Sequence, residues 1–354
     1  MNRMYGLLRL FLIAASGIIL VVGLSSNLQR QIFEWGLIPD QYRFGDLYNV
    51  SNLKKFKETD MQQNSQLTEA DKPAKRFDHV DLYTIGDSFT PMDTSFYAGR
   101  NNYHIWLGVN VDTARLHPDR KSILVIEIIE RTIQERLKSD YRKLYINMGF
   151  QFENKPATNK PAEKTDPASF WWDQFGHQIN QRLEFLLFNS EPFLKIKELK
   201  AGIMLSWFNR THTGSLVSAN REYIFYDVEA NPKSVLSPFA AVGPASVDTV
   251  VTNMNAIRDY YKNAGFDEVY FCLLPNKVTV CEPDRSVYNN QITRIEQHPA
   301  LKAPFLSLHR EIRRHPEWFH KGDGHWNVHG KRLWLRHVNK LVEEWSVSKS
   351  AAIR

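Results

Sequence analysis

The chain has 354 residues, 43% of them apolar, and a formal net charge of +6. That length and apolar fraction suffice for one large or two modest folded domains and exclude a disordered or fibrous polypeptide. Its basic residues are scattered and form no long runs, which argues against a nucleic-acid-binding protein.

The first element in chain order is an apolar stretch from Tyr5 to Leu24, flanked and interrupted by Arg3 and Arg9. A bilayer-spanning helix needs roughly 20 apolar residues and a signal-peptide core about 7 to 15. The uncharged core, Leu10 to Leu24, falls between the two, so residues 1–26 read as a membrane anchor or signal. Leu24-Ser25-Ser26 is a weak cleavage site, which favours an anchor, and the two arginines place its N-terminus inside. A buried core helix is the competing reading.

Residues 27–76 read as a tether, with the polar stretch Asn49 to Arg76 as an extended approach to the fold. The main domain is expected over 77–348, with an insertion around 150–220. Its first strand is His79 to Ile85, ending at Gly86. Ser122 to Ile129, dense in β-branched residues, reads as a buried parallel strand, and Arg131 to Lys138 as helical. Asn154 to Pro167, with three prolines, is expected to be a surface loop. Phe170 to Leu187 is read as an amphipathic helix and Tyr223 to Tyr226 as a short strand. The helix Ser246 to Asn263, stopped by Gly265, leads into the strand Glu268 to Leu274. The last helix, Gly330 to Trp345, places Leu333, Val338, Leu341 and Val342 on one face. Strands alternating with helices predict an α/β fold with a mostly parallel sheet.

Cys272 and Cys281 flank a segment that reads as strand, turn, strand. They either pair, if the domain is exported, or remain two separate thiols; with no histidine cluster beside them they make no zinc site.

Two short motifs carry candidate chemistry. Gly86-Asp87-Ser88-Phe89 follows a strand, where open α/β sheets place their active sites, and a tight turn there exposes the serine hydroxyl. Asp323-Gly324-His325-Trp326-Asn327 precedes the last helix. A serine becomes a nucleophile when a base takes its proton and an acceptor orients that base, roles that His325 and Asp323 fit. The competing readings are an ordinary turn for the first motif and, for the second, a surface turn or half a metal site helped by His320 and His329. No carboxylate-rich set accompanies them, so no metal and no organic cofactor is expected.

Together these motifs resemble the SGNH hydrolase superfamily, and more narrowly its AlgJ/AlgX-like (DHHW) O-acetyltransferase branch. Val125-Ile126-Glu127-Ile128-Ile129-Glu130-Arg131 is similar to that branch's strand ending in Glu-Arg, and Leu274-Pro275-Asn276-Lys277 to its turn after a later strand. The serine here precedes the Asp-x-His motif, as in ordinary SGNH enzymes and unlike that branch's alginate members. The glycine and asparagine of the usual oxyanion hole have no counterpart in the sequence.

The resemblance implies a flavodoxin-like α/β fold and a catalytic set of Ser88 as nucleophile, His325 as general base and acid, and Asp323 as its orienting carboxylate. Arg131 then serves substrate or oxyanion, or merely pairs with a neighbouring carboxylate. Asn276 and Lys277 shape the site rim or end a strand, and Trp326 packs the loop or lines a sugar site. The implied function is an acyl-ester hydrolase or O-acetyltransferase on an extracytoplasmic polysaccharide, periplasmic or at the cell surface, with an MBOAT-type acyl donor protein as partner. The alternative is an inactive, tethered glycan-binding or assembly protein, for which Phe170-Trp171-Trp172 would be the binding cluster if it is not core.

Overall fold

The computed structural model describes residues 2–40, 42–107, 111–146, 148–152 and 179–350. The proline-rich stretch 154–167 and the cluster Phe170-Trp171-Trp172 lie outside them.

Eight strands are formed among the described residues: β1 Val80–Gly86, β2 Asn102–Trp106, β3 Asp112–Thr113, β4 Lys121–Ile129, β5 Phe150–Gln151, β6 Ser215–Val217, β7 Ile224–Tyr226 and β8 Glu268–Leu274. β1, β2, β4 and β8 build one sheet in the order β2-β1-β4-β8, and all three pairings are parallel. The fold is therefore α/β with a mostly parallel central sheet. The chain leaves β1 toward β2 on one side and crosses back to β4 on the other, so the order reverses between β1 and β4. Open α/β sheets carry their crevice at such a point, outside the carboxyl ends of the strands.

The helices are α1 Asn2–Leu24, α2 Ser26–Glu34, α3 Asp46–Ser51, α4 Met61–Ser65, α5 Ile179–Phe188, α6 Glu191–Phe208, α7 Asp227–Ala230, α8 Pro244–Asn263, α9 Lys277–Cys281, α10 Gln291–Glu296, α11 His309–Ile312 and α12 Val328–Ser350. Alternation along the strands sorts the core into two layers. Tyr83, Ile85, Leu124, Ile126, Ile128, Phe271 and Leu273 face α8, which buries Val250, Met254, Ile257 and Tyr261 against them. Leu82, Ile123, Val125, Ile129, Cys272 and Leu274 face the other way, toward Leu333, Trp334, Val338, Leu341 and Val342 of α12. The segment expected to be helical after Arg131 is a 3₁₀ turn over Glu130–Thr132 followed by one wide π turn over Gln134–Ser139.

α1 is long and apolar enough to be a membrane anchor or a signal sequence: Met4–Leu24 has a mean hydropathy of 2.5 in its best window, of which only 6% is buried. Beyond it the structure departs from a simple tether. From Asp46 onward the chain is folded onto the domain, and Leu47, Leu53 and Phe56 are buried beside Ile224. Their spacing follows neither a helix nor a strand, which is why no element was predicted there. Cys272 and Cys281 are free thiols. Cys281 ends the short helix α9, not a second strand, so the hairpin geometry expected to bring the sulfurs together does not arise.

Candidate active site

The carboxyl ends of the sheet strands supply most of the expected residues. Ser88 sits in the turn after β1, exposed, while Phe89 behind it is buried. The turn is held from below: Asp87 Oδ1 accepts the Phe89 amide at 3.0 Å, and the Asp87 amide donates to Glu127 Oε2 at 3.0 Å. Glu127 points from β4 into the fully buried layer. Burial, then the nearby Asp87 carboxylate, push its carboxyl well above the usual range, so the uncharged acid is favoured.

The second motif lies in the loop before α12. Ser88 Oγ and His325 Nε2 are 2.6 Å apart, and His325 Nδ1 lies 2.6 Å from Asp323 Oδ1. Residues 237 positions apart are thus joined in one line of hydrogen bonds ending on a buried carboxylate. Burial would raise the Asp323 carboxyl, but the His325 hydrogen bond and charge, with the amides of Asp46 and His325, hold it far below its ordinary value. For His325 burial favours the neutral ring; the Asp323 hydrogen bond and charge, reinforced by Asp46 and opposed by Arg131, leave its pKa raised.

Asp46 is the residue that sequence reading missed. Its amide donates to Asp323 Oδ2 at 2.8 Å, and its Oδ1 accepts the Gly324 amide at 2.7 Å. Its Oδ2 accepts the Tyr226 hydroxyl at 2.7 Å and lies 3.8 Å from His325 Nδ1. Burial and the Asp323 charge raise its carboxyl pKa. Gly45, at φ 105°, lets the chain come this close, since a side chain there would run into the Gly322 carbonyl. Glu58 completes the clamp by accepting the amides of Lys321 and Gly322 at 3.1 and 2.9 Å. Residues 44–58 are therefore a strap across the loop that carries His325. The only local signal for it was Gly45 before Asp46, too common a pair to single out.

The remaining candidates divide. Arg131 is anchored to the buried Glu229 at 2.6 Å, the carboxylate-paired role, yet it remains close enough for its charge to act on His325. Asn276 is buried: its Oδ1 accepts the Arg131 amide at 3.1 Å, and its own amide donates to Glu130 at 3.1 Å. Lys277 is not on the rim. It is buried beneath the loop, and its Nζ donates to the carbonyls of Ile224, Lys321 and Asp323 at 2.8, 3.0 and 3.0 Å. Trp326 is 1% exposed and ties the two motifs together by donating from Nε1 to the Phe89 carbonyl at 2.7 Å, so it packs the loop, and it also borders the cleft beside Ser88. His320 is buried between Ser65 Oγ (2.8 Å) and Glu58 Oε1 (3.3 Å), which fixes its ring as a loop support.

The line of hydrogen bonds opens into a cleft of about 470 Å³ lined by Tyr42, Met61, Ser65, Ser88, Tyr226 and His325, among others. Asp46, Asp323 and His325 also place three ligand-type atoms within 4.8 Å of one another. Those atoms are committed to one another, to backbone amides and to Tyr226, which suits an oriented imidazole better than a cation. An exposed serine hydroxyl bonded to an imidazole that a carboxylate orients has the parts of an activated nucleophile. Comparison with protein-family models, with curated proteins and with solved structures finds no match for this chain.

Proposed function

We propose that the chain is a serine-dependent acyl-ester hydrolase or O-acetyltransferase of the SGNH type, acting outside the cytoplasm on a polysaccharide. The observation that carries this reading is the unbroken line from Ser88 Oγ through His325 to Asp323, 2.6 Å at each step.

In the proposed reaction Ser88 Oγ attacks the acyl carbonyl carbon while His325 Nε2 takes the hydroxyl proton. The imidazolium so formed is stabilised by Asp323 and, through space, by Asp46. Collapse of the tetrahedral adduct breaks the bond to the sugar oxygen, and the imidazolium returns its proton to that leaving alkoxide. Water or a second sugar hydroxyl then gives its proton to His325 and attacks the acyl-serine; collapse of that adduct breaks the bond to Ser88 Oγ, which takes the proton back from His325. Water gives hydrolysis and a sugar hydroxyl gives transfer. The exposed ring of Tyr42 at the cleft suits a saccharide face. Arg3 and Arg9 in the N-terminal half of α1 support the extracytoplasmic placement; an acyl donor protein in the membrane fits that placement.

The test is a fluorophosphonate probe together with turnover of an acetylated glycan. The full-length protein should be labelled at Ser88, and Ser88→Ala should abolish both labelling and turnover while leaving the melting temperature unchanged. Full turnover in Ser88→Ala would overturn the proposal.

A further inference from the structure

α6 is apolar on two sides. Its inner stripe, Leu194, Ala201 and Leu205, faces the domain, and Ala201 and Leu205 pack on the core formed by Leu47, Leu53, Phe56 and Ile224. An apolar inner stripe is ordinary for a helix on a globular domain. The outer side should then be polar, and it is not: Ile196, Leu199, Trp207 and Phe208 are 63, 65, 76 and 57% exposed, with Phe193 beside them. A stripe of this size on a soluble surface marks something that covers it.

The identity of the cover follows from what the hairpin touches. α5, joined to α6 by two residues, packs directly on α1: a side chain on Gly23 would run into Leu183 and reach Leu186. α1 is the helix whose length and hydropathy suit a bilayer, and it is almost wholly exposed. The hairpin is thus docked through α5 on a lipid-seeking helix at that helix's C-terminal end. Trp35 and Leu37, just beyond α2, are 69 and 71% exposed near the same end of the chain. Lys195, Lys200 and Arg210 on and after α6 are exposed as well. Aromatic rings with flanking basic residues are the composition of the membrane–water interface.

We propose that the α5–α6 hairpin is a membrane seat. Its outer stripe of Phe193, Ile196, Leu199 and Trp207 lies at the boundary of headgroups and acyl chains in the same bilayer that α1 enters. The seat requires α1 to remain attached as an anchor and is independent of the chemistry at Ser88.

The experiment uses the full-length protein, with Cys272 and Cys281 replaced by alanine, in vesicles of phosphatidylethanolamine and phosphatidylglycerol. Single nitroxide labels are placed at Ile196→Cys, Leu199→Cys and Trp207→Cys, with Val287→Cys as the aqueous reference because Val287 is 85% exposed. Collision with lipid-soluble oxygen is compared with collision with a water-soluble nickel chelate. Seating about 5–10 Å deep should raise the oxygen-to-nickel ratio at all three positions about tenfold over Val287→Cys. Adding Ile196→Glu should return the Trp207→Cys label toward the aqueous ratio. Labels at 196, 199 and 207 that behave like the reference would overturn the proposal. So would labels shielded from both reagents, which would mean a protein partner covers the stripe. Unchanged circular dichroism in each variant separates these outcomes from misfolding.

Discussion

Replacing Asp46 by asparagine isolates one term of the proposed mechanism. Asparagine keeps an oxygen for the Gly324 amide, and its own side-chain amide can donate to Tyr226, so the frame of the loop survives. The backbone bond from residue 46 to Asp323 is untouched. What disappears is a negative charge 3.8 Å from His325 Nδ1. At that distance a unit pair is worth about 1 kcal/mol at water's dielectric and about 4 kcal/mol at an effective dielectric near 20. Both side chains retain some exposure, 30% and 16%, so the lower end applies, about 1–2 kcal/mol or about 5- to 30-fold in rate. The loss must depend on pH. The raised His325 pKa puts the wild-type rising limb of kcat/KM above the ordinary histidine value, because the free enzyme needs a neutral ring. Below that limb the free enzyme and the transition state both carry imidazolium, so the Asp46 charge cancels. Above it only the transition state does, so the variant loses the full factor and its limb moves to lower pH. The assay is kcat/KM for an acetyl ester from pH 5 to 9 in both proteins. Equal loss at every pH would show that Asp46 acts only by holding the loop, and superimposable profiles would show that its charge is not felt; either refutes the electrostatic role.

Three further outcomes follow from buried groups. Lys277→Met should strip the buried Ile224 and Asp323 carbonyls of their shared donor, each costing about 1–3 kcal/mol when left unpaired, and calorimetry should show a large fall in melting temperature together with a loss of turnover. Glu127→Gln should leave turnover within a few-fold of wild type. The raised folded pKa of Glu127 means that its contribution is fully present below the unfolded carboxyl pKa and is lost as pH rises toward the folded value, so denaturant titrations should show the glutamine variant gaining on wild type from about pH 4.5 upward; a variant that loses ground to wild type as pH rises would contradict this. Alkylation of the denatured protein without reductant should add two labels by mass, one each at Cys272 and Cys281, where a disulfide would leave none.

Most of the sheet was legible because parallel strands buried on both faces announce themselves as apolar runs. Val80–Gly86, Lys121–Ile129 and Glu268–Leu274 differ from their predicted ranges by a residue at most. The edge strand Asn102–Trp106 was not legible, because only Ile105 is fully buried in its Asn-Tyr-His-Ile-Trp run and no periodicity results. At the site, Ser88, Asp323 and His325 stood in motifs of four and five residues, each next to a strand or helix boundary. Asp46 lies 277 positions from Asp323 and acts through a contact that no local pattern encodes. Lys277 was visible as a residue but not as a role, since the sequence does not tell a rim ammonium from one buried under three carbonyls.

The strap lies between the loop that carries His325 and α6. One side of residues 44–58 holds the loop of His325 through Asp46 and Glu58. The other side is bolted to α6: Tyr48 donates to Glu198 at 2.7 Å, Lys57 pairs with Glu198 at 3.2 Å, and Ala201 and Leu205 close the apolar core. A buried carboxylate with both a hydroxyl and an ammonium on it fixes α6 against the strap more specifically than apolar contact does. The helix proposed to lie on the bilayer and the loop proposed to activate Ser88 therefore share a single wall. Glu198 thus links α6 to the strap, and Asp46 links the strap to Asp323, the acceptor of His325. On the proposed chemistry the same wall borders the substrate, since Tyr42 and Met61, which line the cleft with Ser88, flank the strap in the sequence.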